Sequence, residues 1–140
     1  MERRQFLTKS CSACLGLAGA SWLLSACGTS MPVFKATPRD QALVIPGDQF
    51  PPERQQLLVS TPALANQILL VRRNDQVKAL YLECTHEYTG LTATKTRIVC
   101  SLHGSIFDFD GNVVKEPALL PLKQFPVKTT DNNNLVIQIA

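Results

Sequence analysis

The sequence has few residues that can ligate a metal through sulfur or imidazole. Its 140 residues include five cysteines and two histidines. Cys11, Cys14 and Cys27 lie in or beside an apolar N-terminal segment, so only Cys84 and Cys100 remain for the folded body, together with both histidines. Two cysteines do not indicate a disulfide framework, and their coincidence with the histidines directs attention to a metal site.

The sequence also lacks a strongly basic region and the length for a second catalytic domain. The formal net charge is +3, and three of the fourteen cations and one of the eleven anions lie in the first ten residues, which leaves +1 for the rest. Nucleic-acid binding requires a clustered basic face, so this class of function is excluded. Removal of an N-terminal signal would leave about 110 residues, a usual size for one compact domain.

The apolar run over residues 11–26 is short for a transmembrane helix. Its sixteen residues, several of them Gly, Ser or Ala, fall below the roughly 20 that a span needs. A basic start followed by a short apolar run is typical of a secretory signal. Residues 3–7, RRQFL, resemble the core of a twin-arginine signal, which exports proteins already folded, although an ordinary secretory signal can also contain two arginines.

Cys27 is a candidate for lipid attachment. Residues 24–27, LSAC, resemble a lipobox, in which the cysteine is acylated and begins the mature chain; a chance cysteine after small residues is the alternative. Residues 1–27 are therefore predicted to be a twin-arginine lipoprotein signal, and residues 28–39, with two prolines, a tether. We expect an exported protein, anchored through Cys27 at the periplasmic or extracytoplasmic face of the membrane. Retention of residues 11–26 as an anchor is the other option.

Residues 41–140 show no clear helical periodicity, and only Thr61–Ala65 is compatible with a short helix. Short apolar runs rich in β-branched residues predict strands at residues 42–45, 57–60, 67–72, 77–82, 97–100, 106–109, 124–129 and 135–139. Asn74-Asp75, Asp110-Gly111 and residues 131–134 predict turns, because these residue types tolerate left-handed backbone conformations. The pattern predicts an all-β domain.

Two loops between the predicted strands carry the candidate ligands. Cys84-Thr85-His86 and Cys100-Ser101-Leu102-His103 form a CxH and a CxxH motif with thirteen residues between them. Two thiolates and two imidazoles are soft donors that suit zinc or an iron–sulfur centre. Zinc fingers and ribbons usually take a matched pair from each hairpin, whereas here each loop offers one cysteine and one histidine. This arrangement favours a two-iron cluster held between two loops, with a zinc-stabilised binding module as the alternative.

The two motifs and the residues after them resemble the Rieske family. The second motif continues as CSLHGSIFDFDG over residues 100–111, followed by Pro117, Ala118, Pro121 and Leu122. These prolines match a family loop that covers the cluster. The resemblance extends over roughly residues 40–140. It implies a Rieske-type antiparallel β-sandwich, an inserted cluster-binding subdomain at about residues 83–122, and one [2Fe–2S] cluster per chain.

The resemblance also implies roles for individual residues. Cys84 and Cys100 would ligate the inner iron, and His86 and His103 would ligate the outer, more exposed iron. Ser105 matches the family serine whose hydroxyl donates to a bridging sulfide.

The departures from the family pattern include Glu116, which replaces a glycine before Pro117, and three positions that bear on the site. Thr89 and Leu102 stand where two further cysteines of respiratory Rieske proteins form a disulfide, and Phe107 replaces a tyrosine that donates to a ligand sulfur. Two thiolates and two neutral imidazoles leave the oxidised cluster uncharged, and such centres have potentials of about −150 to +300 mV. Because fewer hydrogen bonds to sulfur stabilise the reduced cluster less, we expect a potential in the lower or middle part of this range.

The residues and the resemblance together predict an electron-transfer protein that passes single electrons to or from a periplasmic or membrane oxidoreductase. We expect a carrier or an oxidoreductase subunit, not an enzyme by itself. Its partner would be a redox protein, such as an oxidoreductase, a cytochrome or a quinol system. A quinol-oxidising subunit of a cytochrome bc-type complex is the alternative, which the missing disulfide weakens. An oxygenase would need two more histidines for a mononuclear iron, and the sequence has none left.

Overall fold

The computed structural model describes residues 30–140, and the predicted signal at residues 1–27 lies outside this range. Within the described range the chain forms twelve strands: Val33–Lys35 (β1), Ala42–Ile45 (β2), Gln56–Ser60 (β3), Ile68–Arg73 (β4), Gln76–Tyr81 (β5), Thr92–Ala93 (β6), Ile98–Val99 (β7), Ile106–Phe107 (β8), Val113–Lys115 (β9), Gln124–Phe125 (β10), Val127–Thr129 (β11) and Leu135–Gln138 (β12). No helix occurs in that range, so the all-β prediction is confirmed. Accordingly, the described part contains no helix of the length and apolarity that a membrane span requires.

The strands form three sheets. One has five strands in the order β1-β3-β4-β5-β10, one has three in the order β11-β12-β2, and one has four in the order β6-β7-β8-β9. Neighbouring strands are antiparallel except for the edge strand β1, which runs parallel to β3. Antiparallel neighbours need only short connections, which agrees with the closely spaced apolar runs of the sequence.

Strand β4 lies in the middle of the five-stranded sheet and is buried on both faces. Its first four residues, Ile68–Val71, are all apolar and all buried. Because side chains alternate along a strand, two of them enter a core on one side and two enter a core on the other. Ile68 and Leu70 belong to the first core, whereas Leu69 and Val71 belong to the second. An unbroken apolar run is what such a doubly covered strand requires.

The first core fills the space between the five-stranded and three-stranded sheets. Its main members come from alternate positions of facing strands: Leu43 and Ile45 of β2, Leu57 and Val59 of β3, Ala79 and Tyr81 of β5, and Leu135 and Ile137 of β12. The second core lies between the opposite face of the five-stranded sheet and the four-stranded sheet. It contains both body cysteines, Cys84 and Cys100, with Leu80, Ile98 and Phe107.

Proline interrupts the strand that the sequence predicts over residues 124–129. Gln124 and Phe125 pair with β5, whereas Val127 to Thr129 pair with β12 in the other sheet. Pro126 between them has no N–H to donate to a ladder, and its carbonyl accepts a hydrogen bond from Gln138 N at 3.0 Å. The predicted single strand is therefore two strands, and the chain passes from one sheet to the other at the proline.

Other local predictions need correction. Residues 33–35, assigned to the tether, form β1, and Ala36 N continues the pairing by donating to Ser60 O at 2.8 Å. Thr61–Ala65 forms turns and no helix. Strands β6 and β9, which have only two and three residues, were not predicted. Such short strands have no periodicity of their own and depend on the partner strand.

The predicted turns are confirmed by the backbone. Asn74 and Asp75 both have positive φ, 48° and 61°, between Arg73 and Gln76, which pair across the β4–β5 hairpin. Positive φ at both central residues is the geometry of a type I′ turn, which matches the twist of the flanking strands. Gly111, at φ 87°, supplies the same freedom in the β8–β9 turn, and Asn133 does so between β11 and β12.

The first core makes a measurable contribution to stability. Ile137 is fully buried, so Ile137→Ala should lower the free energy of unfolding by about 2–5 kcal/mol through lost burial and an unfilled cavity. Val44 lies on the neighbouring strand β2 but is 47% exposed, so Val44→Ala is the matched control and should change stability by about 0.5 kcal/mol. Urea unfolding followed by circular dichroism compares them. Equal losses would contradict the assignment of Ile137 to this core.

Candidate metal centre

Two six-residue loops hold the candidate ligands, and each closes an antiparallel pair. Cys84–Thr89 lies between Glu83 and Gly90, which form a β-bridge, and Cys100–Ser105 lies between the paired residues Val99 and Ile106. Cys84 N donates to Thr89 O at 2.7 Å, and Cys100 N donates to Ser105 O at 2.8 Å. The first and last residues of both loops are therefore joined in the same way.

The fifth position is also equivalent in the two loops. Tyr88 N donates to Cys84 O at 2.8 Å, and Gly104 N donates to Cys100 O at 3.0 Å. Both residues have positive φ, 55° for Tyr88 and 81° for Gly104. Glycine reaches this conformation without cost, whereas tyrosine is strained there and depends on the surrounding hydrogen bonds. The chain thus builds the same loop twice, which brings one cysteine and one histidine from each side.

The structure brings the two predicted cysteine ligands together and the two predicted histidine ligands together. Cys84 and Cys100 are free thiols, 0% and 1% exposed, and both belong to the second core. His86 and His103 are exposed, and their ring centroids lie 5.1 Å apart with the rings nearly perpendicular at 81°. Two sulfurs therefore face inward and two imidazoles face solvent.

Hydrogen bonds around Cys100 favour its thiolate. Burial raises the pKa of the Cys100 thiol. Hydrogen bonds from the Thr89 side chain and from the backbone of Leu102 and His103, with a smaller contribution from Cys84, lower this pKa by more in total. The resulting pKa lies below the ordinary value of cysteine. A thiolate is the form that ligates metal, so these donors prepare the sulfur for that role.

Ser105 is the last residue of the second loop and is fully buried. Its Oγ accepts a hydrogen bond from Ala118 N at 3.0 Å, and Ala118 is itself buried in the proline-containing loop. A hydroxyl that accepts one hydrogen bond still carries its own proton, which it can donate to a second group, such as a sulfide. The geometry is compatible with the expected bond from Ser105 to a sulfide.

The proline-containing loop, residues 116–122, lies against both ligand loops. Thr85 Oγ1 donates to Leu120 O at 2.7 Å, which ties this loop to the first ligand loop. The bond between Ala118 and Ser105 ties it to the second. Ala118 and Leu122 point into the second core, whereas Leu119 and Leu120 are exposed. The loop therefore covers the site from a third side.

The donor set fits a two-iron, two-sulfide cluster. Two inward sulfurs and two outward imidazoles suit one iron with cysteine ligands and one with histidine ligands. Zinc in a structural site would take all four ligands at about 2.0–2.3 Å from one ion, and separation of the pairs into a buried and an exposed layer does not favour this.

Two residues near the ligands were not predicted to take part. Thr89 Oγ1 lies 3.7 Å from Cys100 Sγ. From the sequence, Thr89 was noted only because it stands where respiratory Rieske proteins have a cysteine. Glu87 is exposed, and its carboxylate lies within 4.8 Å of nitrogens of His86 and His103. A signal for Thr89 was available, because CTHEYT and CSLHGS both end in a hydroxyl residue.

Comparison with known proteins agrees with this geometry. The Rieske [2Fe-2S] domain matches residues 41–126. The cytochrome b6-f complex iron-sulfur subunit of Chlorobaculum tepidum is 30% identical over 77 residues, which cover 54% of this chain and 42% of that protein. The chain thus spans less than half the length of this relative.

Solved structures share the fold. The cyanobacterial plasma membrane Rieske protein PetC3 from Synechocystis PCC 6803 aligns with a TM-score of 0.50 and 26% identity, over 59% of this chain and 85% of that one. A chain in the complex of reduced oxygenase and oxidized ferredoxin in carbazole 1,9a-dioxygenase aligns with a TM-score of 0.50 and 24% identity, over 71% and 95%.

A match over residues 41–126 includes both ligand loops and the proline-containing loop, and covers more than half of the chain. The chain therefore belongs to the Rieske [2Fe-2S] domain family, whose domain binds a [2Fe–2S] cluster.

Proposed function

We propose that Cys84 and Cys100 ligate the inner iron of the cluster and that His86 and His103 ligate the outer iron. The observation that carries this assignment is the layering of the site, with two free thiols in the second core and two exposed imidazoles above them. Both cysteines are buried against apolar residues, and the two ligand loops supply backbone and side-chain donors to the sulfur of Cys100. Ser105 donates its hydroxyl to a sulfide.

The protein acts as a one-electron carrier for an oxidoreductase. When bound, the cluster supplies reversible one-electron chemistry, and histidine ligation sets its potential above that of four-cysteine clusters. The chain contributes a short path to the surface, because both imidazoles are exposed and only the cysteine side is buried. A partner that contacts the histidines approaches the outer iron through a single side chain.

The surface around the histidines suits a docked partner. All three loops carry exposed apolar side chains: Tyr88 at 75%, Leu102 at 54%, Leu119 at 76% and Leu120 at 64% exposed. Clustered exposed apolar residues mark interaction surfaces. Glu87 adds a negative charge beside the imidazoles. The complementary partner surface is apolar with a cationic group opposite Glu87, since opposite charges steer association.

A quinol-oxidising subunit of a cytochrome complex is the second candidate. It is favoured by the 30% identity to a cytochrome b6-f complex iron-sulfur subunit. The carrier is preferred because Thr89 and Leu102 leave no disulfide between the ligand loops, and both body cysteines are free.

The protein is exported and held at the membrane by lipid on Cys27. Residues 1–27 lie outside the described range, so this part of the proposal rests on the twin-arginine and lipobox patterns. Export of a folded protein suits a cofactor inserted before translocation, and a plasma membrane Rieske protein is among the structural relatives. Several acyl chains, at about 0.8 kcal/mol per buried CH₂, give durable anchoring.

Cluster content tests the ligand assignment. The purified protein should contain two irons and two acid-labile sulfides per chain and, after reduction with dithionite, show the paramagnetic resonance of a two-iron cluster. Cys84→Ala should lose iron and this signal, because a thiolate ligand is missing. Ser101→Ala, which changes an exposed neighbour of Cys100, is the control and should retain both. One zinc per chain without visible absorption would contradict the proposal.

Charged oxidants test whether electrons leave through the surface beside Glu87. The cation tris(phenanthroline)cobalt(III) and the anion ferricyanide each oxidise the reduced protein at a measurable rate. At low salt, Glu87→Gln should lower the ratio of the rate with the cation to the rate with the anion by about three- to tenfold. The ratio separates charge from driving force, because a changed potential affects both reactions in the same direction. Asp131→Asn, in the β11–β12 turn, is the control and should keep the wild-type ratio. An unchanged ratio in the Glu87 variant would indicate another exit surface.

Membrane fractionation tests the anchor. Cys27→Ser should move the protein from the membrane to the soluble fraction and remove the mass of the lipid, whereas Cys11→Ser, within the predicted signal, should change neither. Arg3→Lys combined with Arg4→Lys should block export if the signal is of the twin-arginine type. A Cys27→Ser protein that stays in the membrane after alkaline extraction would support retention of residues 11–26 as a span.

A further inference from the structure

Thr89 joins the two ligand loops without a covalent bond. It is the last residue of the first loop, and its Oγ1 lies 3.7 Å from Sγ of Cys100, the first residue of the second loop. This contact lies within the distance at which a hydroxyl hydrogen-bonds to sulfur. Thr89 is half-buried, so bulk water does not fully screen the interaction.

The direction of this hydrogen bond follows from the chemistry of the ligand. A cysteine that ligates iron is a thiolate and carries no proton, whereas a threonine hydroxyl always carries one. Thr89 Oγ1 is therefore the donor and Cys100 Sγ the acceptor. The backbone holds the donor in place, because Thr89 O accepts the hydrogen bond from Cys84 N at 2.7 Å.

We propose that Thr89 tunes the cluster: its hydroxyl donates to the Cys100 thiolate and raises the reduction potential. This inference rests on the proposed ligand assignment. Reduction adds negative charge to the cluster and its sulfurs, so a donor to sulfur stabilises the reduced form more than the oxidised form. The bond also replaces, in a reversible form, the link between loops that a disulfide would provide.

Thr89 changes the expected number of donors to sulfur. Phe107 is fully buried in the second core and has no hydroxyl, so the donor expected from a tyrosine at that position is lost. Thr89 supplies a donor from another direction, to a sulfur of the same site. The expected potential in the lower or middle part of the range included the missing donor at Phe107 but not the added donor at Thr89.

Thr85 offers a matched comparison within the same loop. Its Oγ1 donates to Leu120 O at 2.7 Å and therefore to a carbonyl of the proline-containing loop. Both threonines tie the first ligand loop to a neighbour, but only Thr89 contacts a candidate ligand sulfur in the described structure. Removal of either hydroxyl weakens a contact between loops. Only removal of the Thr89 hydroxyl also removes a donor to sulfur.

Redox titration of the cluster-loaded protein tests the proposal. Thr89→Val keeps the shape and removes the hydroxyl, so the midpoint potential should shift downward, and the equilibrium constant for reduction by a reference couple should fall about fivefold. Thr89→Ser restores a donor and should stay near the wild-type potential. Thr85→Val should leave the potential unchanged. Iron content and the paramagnetic resonance of each variant establish that the same cluster is present.

Each alternative outcome overturns a defined statement. An unchanged potential in Thr89→Val, an equal shift in Thr85→Val, or an equal shift in Thr89→Ser would show that the hydroxyl of Thr89 does not tune the cluster. If Thr89→Val fails to load, Thr89→Ala and Thr89→Ser supply the same comparison, and only the alanine variant should shift. Absence of a cluster from the wild-type protein would overturn the ligand assignment, and the role of Thr89 with it.

Discussion

Burial of β4 and β5 on both faces is the constraint on which the rest of the structure depends. A strand covered on one side needs one core, but Ile68–Val71 enters two. The chain must therefore supply a second layer, and the four-stranded sheet with its ligand loops is that layer. The pairing continues beyond β5, because Leu82 N donates to Gln67 O and Leu91 N donates to Leu82 O. The first ligand loop thus extends directly from the central sheet.

Burial of Cys100 in the second core creates an electrostatic problem that hydrogen-bond donors from both ligand loops solve. An apolar environment disfavours a thiolate, and burial does raise the pKa of Cys100. The turn after Cys100 supplies backbone donors from Leu102 and His103, and Thr89 of the other loop supplies a side-chain donor; together they outweigh burial. The same turn carries the histidine outward. Inner sulfur and outer imidazole are therefore two consequences of one backbone conformation.

The sequence was sufficient where a residue acts through its own chemistry or its immediate neighbours. The unbroken apolar run predicted β4, Asn74-Asp75 predicted a turn, and the paired CxH and CxxH motifs predicted loops that the structure brings together. It was insufficient where a feature depends on a distant partner. Strand β1 exists because β3 offers a parallel edge. The hydroxyl residue at the end of each loop is visible in the sequence, but the contact between Thr89 and Cys100 depends on how the two loops face each other.

Both body cysteines are free, so hydrogen bonds and not a disulfide hold the ligand loops together. Three hydrogen bonds join the three loops: Thr89 to Cys100, Thr85 to Leu120, and Ala118 to Ser105. A disulfide would stiffen the loops without acting directly on a ligand sulfur. Here one of the joining bonds ends on a proposed ligand, and a second ends on the hydroxyl proposed to face a sulfide. The contacts that hold the loops together therefore also act on the charge of the sulfurs. A substitution in the Thr89–Cys100 pair or the Ala118–Ser105 pair alters both the loop packing and this charge.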